Sequence, residues 1–263
     1  MEKLESLDLA PGTFRADEPP TLTAIVGRRR PDGSTAAIRV EYAVVDGKAI
    51  HEGDIVLGDA QAVAAREKMR RDSKWALVIT TSGEVWPAGV VPITSDKAST
   101  QLLAATVAYF HSITPFKFVP YAGQADYLYV QEGAGSDSQI GRQGGVQLIS
   151  VASDATVGTL AHEFCHALGL WHEQCRPDRD AYISINQANI LPGYAGQFTV
   201  QVFDAKLVGP YDCNSLMHYP DWAYAKPGTK TITRKDGGAL PLRNGLSSGD
   251  VAGLRTLYPS IFA

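Results

Sequence analysis

Between His162 and His172 the chain reads HEFCHALGLWH, which gathers three of its six histidines into one short stretch. On a helix, residues i and i+4 share a face, so His162 and His166 point the same way. Glu163 follows the first imidazole directly and stands beside that face without having to join it. Gly169 lies just beyond His166, where a glycine takes the positive φ that ends a helix. The chain can then turn back and deliver His172 to the same point. Helix, turn and return thus bring three imidazoles together with a carboxylate alongside. Three protein nitrogens leave a fourth position for water, the pattern of catalytic rather than structural zinc sites. Glu163 is then placed as general base for a water that the metal activates. HExxH alone is common by chance, whereas the full HExxHxxGxxH leaves little room for ordinary surface or core histidines.

At 263 residues the chain can bury a real core, in one large domain or in a domain with a smaller companion. Its formal charge of −4 gives no reason to expect a nucleic acid or an anionic membrane as partner. Basic GRRR at 27–30 reads as a solvated turn. No apolar run approaches the roughly 20 residues of a membrane span. The opening MEKLESLDLAPGTF lacks a basic stretch followed by an apolar one, so the chain either stays inside or has had an export signal trimmed. Cys165, Cys175 and Cys213 allow at most one internal disulfide, and buried free thiols are the simpler expectation.

Residues 1–20 read as an acidic, proline-containing arm. From 21 to 57 the pattern is β: TLTAIVG, TAAIRVEYAVV and DIVLG are separated by the turn signals RPDGS and VDGK. A helix is expected over 59–75, ending in the basic cluster Arg70, Arg71 and Lys74. EVWPAGVVPIT is then a strand, and DKASTQLLAATVAYFHSI has apolar residues at helical spacing. FKFVPY, DYLYVQE and GVQLIS are further strands, with the glycine-rich GAGSDSQIGRQGG before the last of them. The break between units falls near 59–76.

The long histidine motif resembles that of the metzincin zinc endopeptidases, and SLMHYP supplies Met217 for their methionine turn. Two residues choose a branch: Glu173 directly after the third histidine and Tyr219 after the methionine match the astacins. Matrixins typically carry serine after that histidine and serralysins proline, and no calcium-binding glycine repeat follows. VWPAGVVPIT, FKFVPY, RPDRDAYISINQANI and GLSSGDVAGLRTLYPS are also similar to astacin segments, so that about 85–260 looks astacin-like. The resemblance implies an α+β fold: a metzincin-like protease domain with a twisted, mostly parallel sheet, long helices, active-site helix and Met-turn, preceded by a small β-rich propeptide. It implies one Zn²⁺ held by His162, His166 and His172, with Glu163 as base. Tyr219 would be a fifth ligand that swings off to support the oxyanion, Met217 an apolar floor, and Glu173 the receiver of the new amino terminus.

Astacin propeptides carry F-x-G-D, whose aspartate binds the zinc in the latent form. Here HEGD offers Glu52, Gly53 and Asp54, with His51 in place of the phenylalanine. The expectation is therefore a propeptide, 1–74, whose Asp54 closes the metal site of a catalytic domain, 75–263, until an activating protease cuts within about 66–77. His51 is either a packed histidine or another imidazole within reach of the metal. An alternative makes the N-terminal segment an independent binding domain without latency; another, a retired protease scaffold, would require loss of the base or a ligand, and neither is lost. There are departures: Pro115 and the segment GAGSDSQIG stand where the family's disulfide cysteines are expected. The expected substrate is a peptide or protein lying along GVQLIS as the rim strand, with Lys226, Lys230 or Arg234 as sources of charge selectivity. The family usually works outside the cell.

Overall fold

The computed structural model describes residues 22–29, 35–72, 79–80, 85–200, 207–241, 243 and 245–263; the expected arm at 1–20 and Lys74 lie outside the described residues. Leu22–Arg29 (β1), Thr35–Val45 (β2), Lys48–His51 (β3) and Ile55–Asp59 (β4) form an antiparallel sheet in the order β4-β3-β2-β1. The VDGK signal becomes a two-residue hairpin turn. Asp46 and Gly47 both take positive φ, 49° and 74°, the mirror-image turn whose twist matches the strands it joins. Gly27, Arg28 and Arg29 belong to β1, so the expected turn there is corrected to strand, the chain pairing with β2 instead. Ala60–Asp72 (α1) forms the helix expected over 59–75, with Arg70 and Arg71 in its last described turn; 73–75 lie outside the described residues. Ile79–Thr80 (β5) returns to the same sheet and pairs in parallel with β1.

A second unit begins with Trp86, which is buried and donates from Nε1 to the Ala167 carbonyl at 3.0 Å. Val90–Ser95 (β6), Thr100–Ile113 (α2), Lys117–Pro120 (β7), Tyr127–Gly133 (β8) and Val146–Ala152 (β9) give a four-stranded, wholly parallel sheet ordered β7-β6-β8-β9. The buried residues of α2 are Leu102, Thr106 and Phe110, an i, i+4, i+8 stripe turned to the core. Val157–Ala167 (α3) carries the first two histidines and packs beside it. Phe164 of α3 stacks on Phe118 at 4.7 Å, and Phe110 meets both rings edge-on at 5.4 and 5.5 Å. Beyond the histidines, Ile183–Ile185 (β10) and Ile232–Arg234 (β11) pair antiparallel over a separate cluster rich in tyrosine. Ser248–Leu257 (α4) closes the fold, with Leu254 in the main core.

The rim of the parallel sheet carries one short addition. β9 is the edge strand, and Asp137 covers it at one point by exchanging backbone hydrogen bonds with Ser150 at 3.0 and 3.1 Å. The addition is the short segment 137–138, hidden in the glycine-rich stretch. Onto it the N-terminal sheet docks. Ser138 N–H donates to Asp54 O at 2.9 Å, and Val56 N–H donates to Ser138 O at 2.8 Å. Ile140 and Trp171 of the second unit complete an apolar cluster with Tyr42, Ile55 and Leu57 of the first. The three cysteines are free thiols; Cys165 and Cys175 are buried and Cys213 partly so. Among the described residues no helix is long and apolar enough to cross a membrane.

Candidate active site

Every residue of α3 is buried, so both ends of the helix must satisfy their backbone groups internally. At the start, Thr156 and Thr159 form a reciprocal capping box, each side chain accepting from the other's backbone N–H at 3.1 and 3.2 Å. At the end, Gly169 sits at φ 110° and donates to His166 O at 2.8 Å, while Leu170 donates to Cys165 O at 2.9 Å. These are the paired bonds of a Schellman ending, which turns the chain back toward the helix face. His172 is thereby brought against His162 and His166, with ring centroids 5.4 and 4.8 Å away.

Asp54 enters the space between them. Its Oδ2 lies 3.3 Å from Nε2 of His162 and 3.3 Å from Nε2 of His172, and its Oδ1 lies 3.7 Å from Nε2 of His166. All four residues are buried and their donor atoms fall within 4.8 Å of one another. The outward nitrogens are engaged too. Nδ1 of His162 meets Leu216 O at 2.9 Å, Nδ1 of His166 meets Leu170 O at 2.8 Å, and Nδ1 of His172 meets Glu52 Oε2 at 2.9 Å. Each acceptor engages Nδ1 and turns Nε2 inward, the nitrogen a metal ligand would use.

The charges of the cluster act strongly on one another. Burial drives His162 down to about 4, keeping its ring neutral. Burial would also lower His172, but Asp54 and then Glu52 outweigh it and push the ring up to about 9. Burial likewise works to raise the Asp54 carboxyl, yet the charge of His172 and the closeness of the three rings hold it well below the usual carboxylate range. Nε2 of His166 and Oδ1 of Asp54 are buried and make no hydrogen bond within the protein. Imidazole nitrogens and a carboxylate oxygen converging there fit a zinc ion, which would satisfy both atoms.

The other expected residues surround this cluster. Glu163 is fully buried beside His162, and Met217 is buried with its carbonyl accepting from Glu173 N–H at 3.0 Å. Tyr219 packs its ring 4.8 Å from that of His172, and its hydroxyl donates to the Glu52 carbonyl. It therefore faces the N-terminal loop rather than the four donors. Glu173 accepts from Asp212 N–H at 2.8 Å and faces Arg176. Its carboxyl is pushed up to about 7 by burial. His51 resolves to the packed alternative, buried, with Nδ1 against Glu41 O at 2.8 Å and Nε2 against Glu52 Oε1 at 3.3 Å. Lys226 is tied to Ala188 O, Lys230 to Asp221 and Arg234 to Asp236.

Two residues at the site went unread in the sequence. Glu52 looked like the variable position of a motif, yet it is the partner of His172, 120 positions further along the chain. Asp250, in the first turn of α4, accepts from Ser215 Oγ at 2.6 Å, Leu216 N–H at 2.8 Å and Ser247 N–H at 2.9 Å. Since Leu216 O receives the His162 ring, Asp250 fixes that carbonyl from behind. Asp250→Ala takes the acceptor from three donors, two of them buried, and should cost about 3 kcal/mol, read as a lower urea midpoint. Zinc affinity should fall about tenfold in a chelator competition.

The model of the peptidase family described as Astacin matches residues 78–259. The chain is an astacin. It is 34% identical over 226 residues to zinc metalloproteinase nas-15 of Caenorhabditis elegans, covering 79% of this chain and 39% of that protein. It is 34% identical over 202 residues to the astacin-like metalloendopeptidase of Mus musculus, covering 72% of this chain and 46% of that one. Among solved structures it resembles high choriolytic enzyme 1, a hatching-enzyme zinc protease of Oryzias latipes. That match has a TM-score of 0.62 and 30% identity, over 71% of this chain and 98% of the other. This astacin thus has the family's fold and a His/Asp site for its zinc, and spans about four tenths of the curated relatives' length.

Proposed function

We propose that the chain is a latent zinc endopeptidase, with 1–74 as propeptide and 75–263 as catalytic domain. The observation that carries this reading is the convergence of Asp54 on His162, His166 and His172, each ring held by its Nδ1 partner. His162, His166 and His172 would hold the metal. Bound there, zinc supplies a Lewis acid that polarises a carbonyl and makes water available as hydroxide near neutral pH. Glu163 takes a proton from the attacking water and passes it to the leaving amine. Tyr219, released from the Glu52 carbonyl, donates to the developing oxyanion. Met217 closes the apolar floor, and Glu173, which now accepts from Asp212 N–H, receives the new amino terminus.

In the uncut chain Asp54 occupies the position that water and substrate need, and β4 lies along the rim where a substrate backbone would pair. An independent binding domain would have no reason to bury Glu52 and Asp54 against histidines of its neighbour, which favours the latch over that alternative. The reading extends to peptide or protein substrates met outside the cell, after scission by an activating protease near the end of α1. Limited trypsin treatment of the zinc-loaded full chain tests it. Peptide cleavage should rise between about tenfold and a thousandfold as the arm is cut, the range expected if the open site is a minor state beforehand. Equal activity before and after scission would remove the latch.

A further inference from the structure

Asp137 sits on the rim segment, and its side chain is fully buried. A carboxylate in such a place is strongly destabilised without a positive or hydrogen-bonding partner. The cation it holds comes from the other unit. Nζ of Lys48, on β3, lies 2.7 Å from Asp137 Oδ1 and 2.7 Å from Ser150 Oγ. Lys48 reaches the pair with only the tip of its side chain, and that side chain stays 20% exposed. Asp137 and Ser150 are also tied to each other through their backbones, and neighbouring Ser138 pairs with the Asp54 carbonyl and the Val56 amide. One short stretch of rim thus offers a backbone rail and, beside it, an acidic notch filled by a lysine from the segment that activation would discard.

We infer that Asp137 and Ser150 form a subsite selecting a lysine or arginine side chain of the peptide substrate, with Lys48 as its stand-in while the arm is in place. This rests on the peptidase reading above. Once Lys48 leaves, the carboxylate and hydroxyl remain next to the strand along which a substrate pairs, and a long cationic side chain is what fills them. An acidic substrate side chain there would meet Asp137 as a like charge. Lys226, Lys230 and Arg234, which could have drawn acidic residues, are engaged elsewhere.

The test uses the zinc-loaded full chain, cut by immobilised trypsin, freed of the trypsin and of the cut arm, and supplied with peptides randomised around the scissile bond. At one position kcat/KM should favour lysine or arginine over methionine by about tenfold to a hundredfold. Asp137→Asn should bring that ratio close to unity. If that variant does not fold, n-butylamine decides with the parent enzyme: it should inhibit cleavage of the lysine peptide and spare the methionine peptide. Equal rates for lysine and methionine at every position, a ratio that survives Asp137→Asn, or indifference to the amine overturns the subsite. Failure to cleave any peptide instead overturns the peptidase reading itself, and this inference with it.

Discussion

Glu163→Gln should all but abolish peptide hydrolysis and leave zinc binding intact. The substitution keeps the shape of a fully buried side chain on a helix with no exposed face, so packing around it is preserved. It removes only the capacity to take a proton. Neither His162 nor His166 loses its Nδ1 partner, because those bonds run to the Leu216 and Leu170 carbonyls. The loss in kcat should be about a hundredfold to ten-thousandfold, the usual worth of a positioned base. Zinc content by atomic absorption should stay near one per chain, and the unfolding midpoint should match the parent. Turnover by the cut variant within a few per cent of the parent would exclude Glu163 as base and leave the zinc cluster standing.

Gly53→Ala should activate the uncut chain. Gly53 holds φ 83°, and a Cβ added there would lie 1.8 Å from Tyr224 Oη. Tyr224 is itself buried and stacked on Tyr194 at 5.0 Å, so it cannot swing aside. The loop has to give way, and Asp54 is the next residue. Left-handed backbone alone costs an alanine roughly 1–2 kcal/mol, and the overlap adds to it. The population of the open site should rise accordingly, and uncut activity with it, by about tenfold to a hundredfold. Asp54→Ala should do the same by removing the carboxylate instead of displacing it. The measurement is cleavage of a quenched peptide by chain shown intact on a gel. Uncut Gly53→Ala as silent as its parent would mean that the arm blocks the cleft without help from this loop.

What could be read without coordinates follows the range of the interactions. The histidine helix, its glycine ending and the third ring are legible because each depends on neighbours within a turn or two. The same holds for the Asp46–Gly47 hairpin and the α2 stripe. Asp54 was legible through its glycine and its place in a motif. Glu52 was not, since its role is defined by a ring far along the chain. The rim at 137–138 escaped because two residues within a glycine-rich stretch show no alternation, and only single bridges to Ser150 and Ile55 tie them to the sheets. The three-residue strands β10 and β11 and the two-residue β5 were missed for a similar reason. Short segments held by distant partners leave no periodic trace.

That smallest strand has a consequence for timing. Any cut at 66–77 falls before Ile79–Thr80, which stays with the protease yet is hydrogen-bonded to Val26 and Gly27 in the severed piece. On the proposed activation, scission and departure would therefore be distinct events: the broken-off fragment would begin as a seated, non-covalent inhibitor, and hydrolysis should lag behind the appearance of the cut band on a gel.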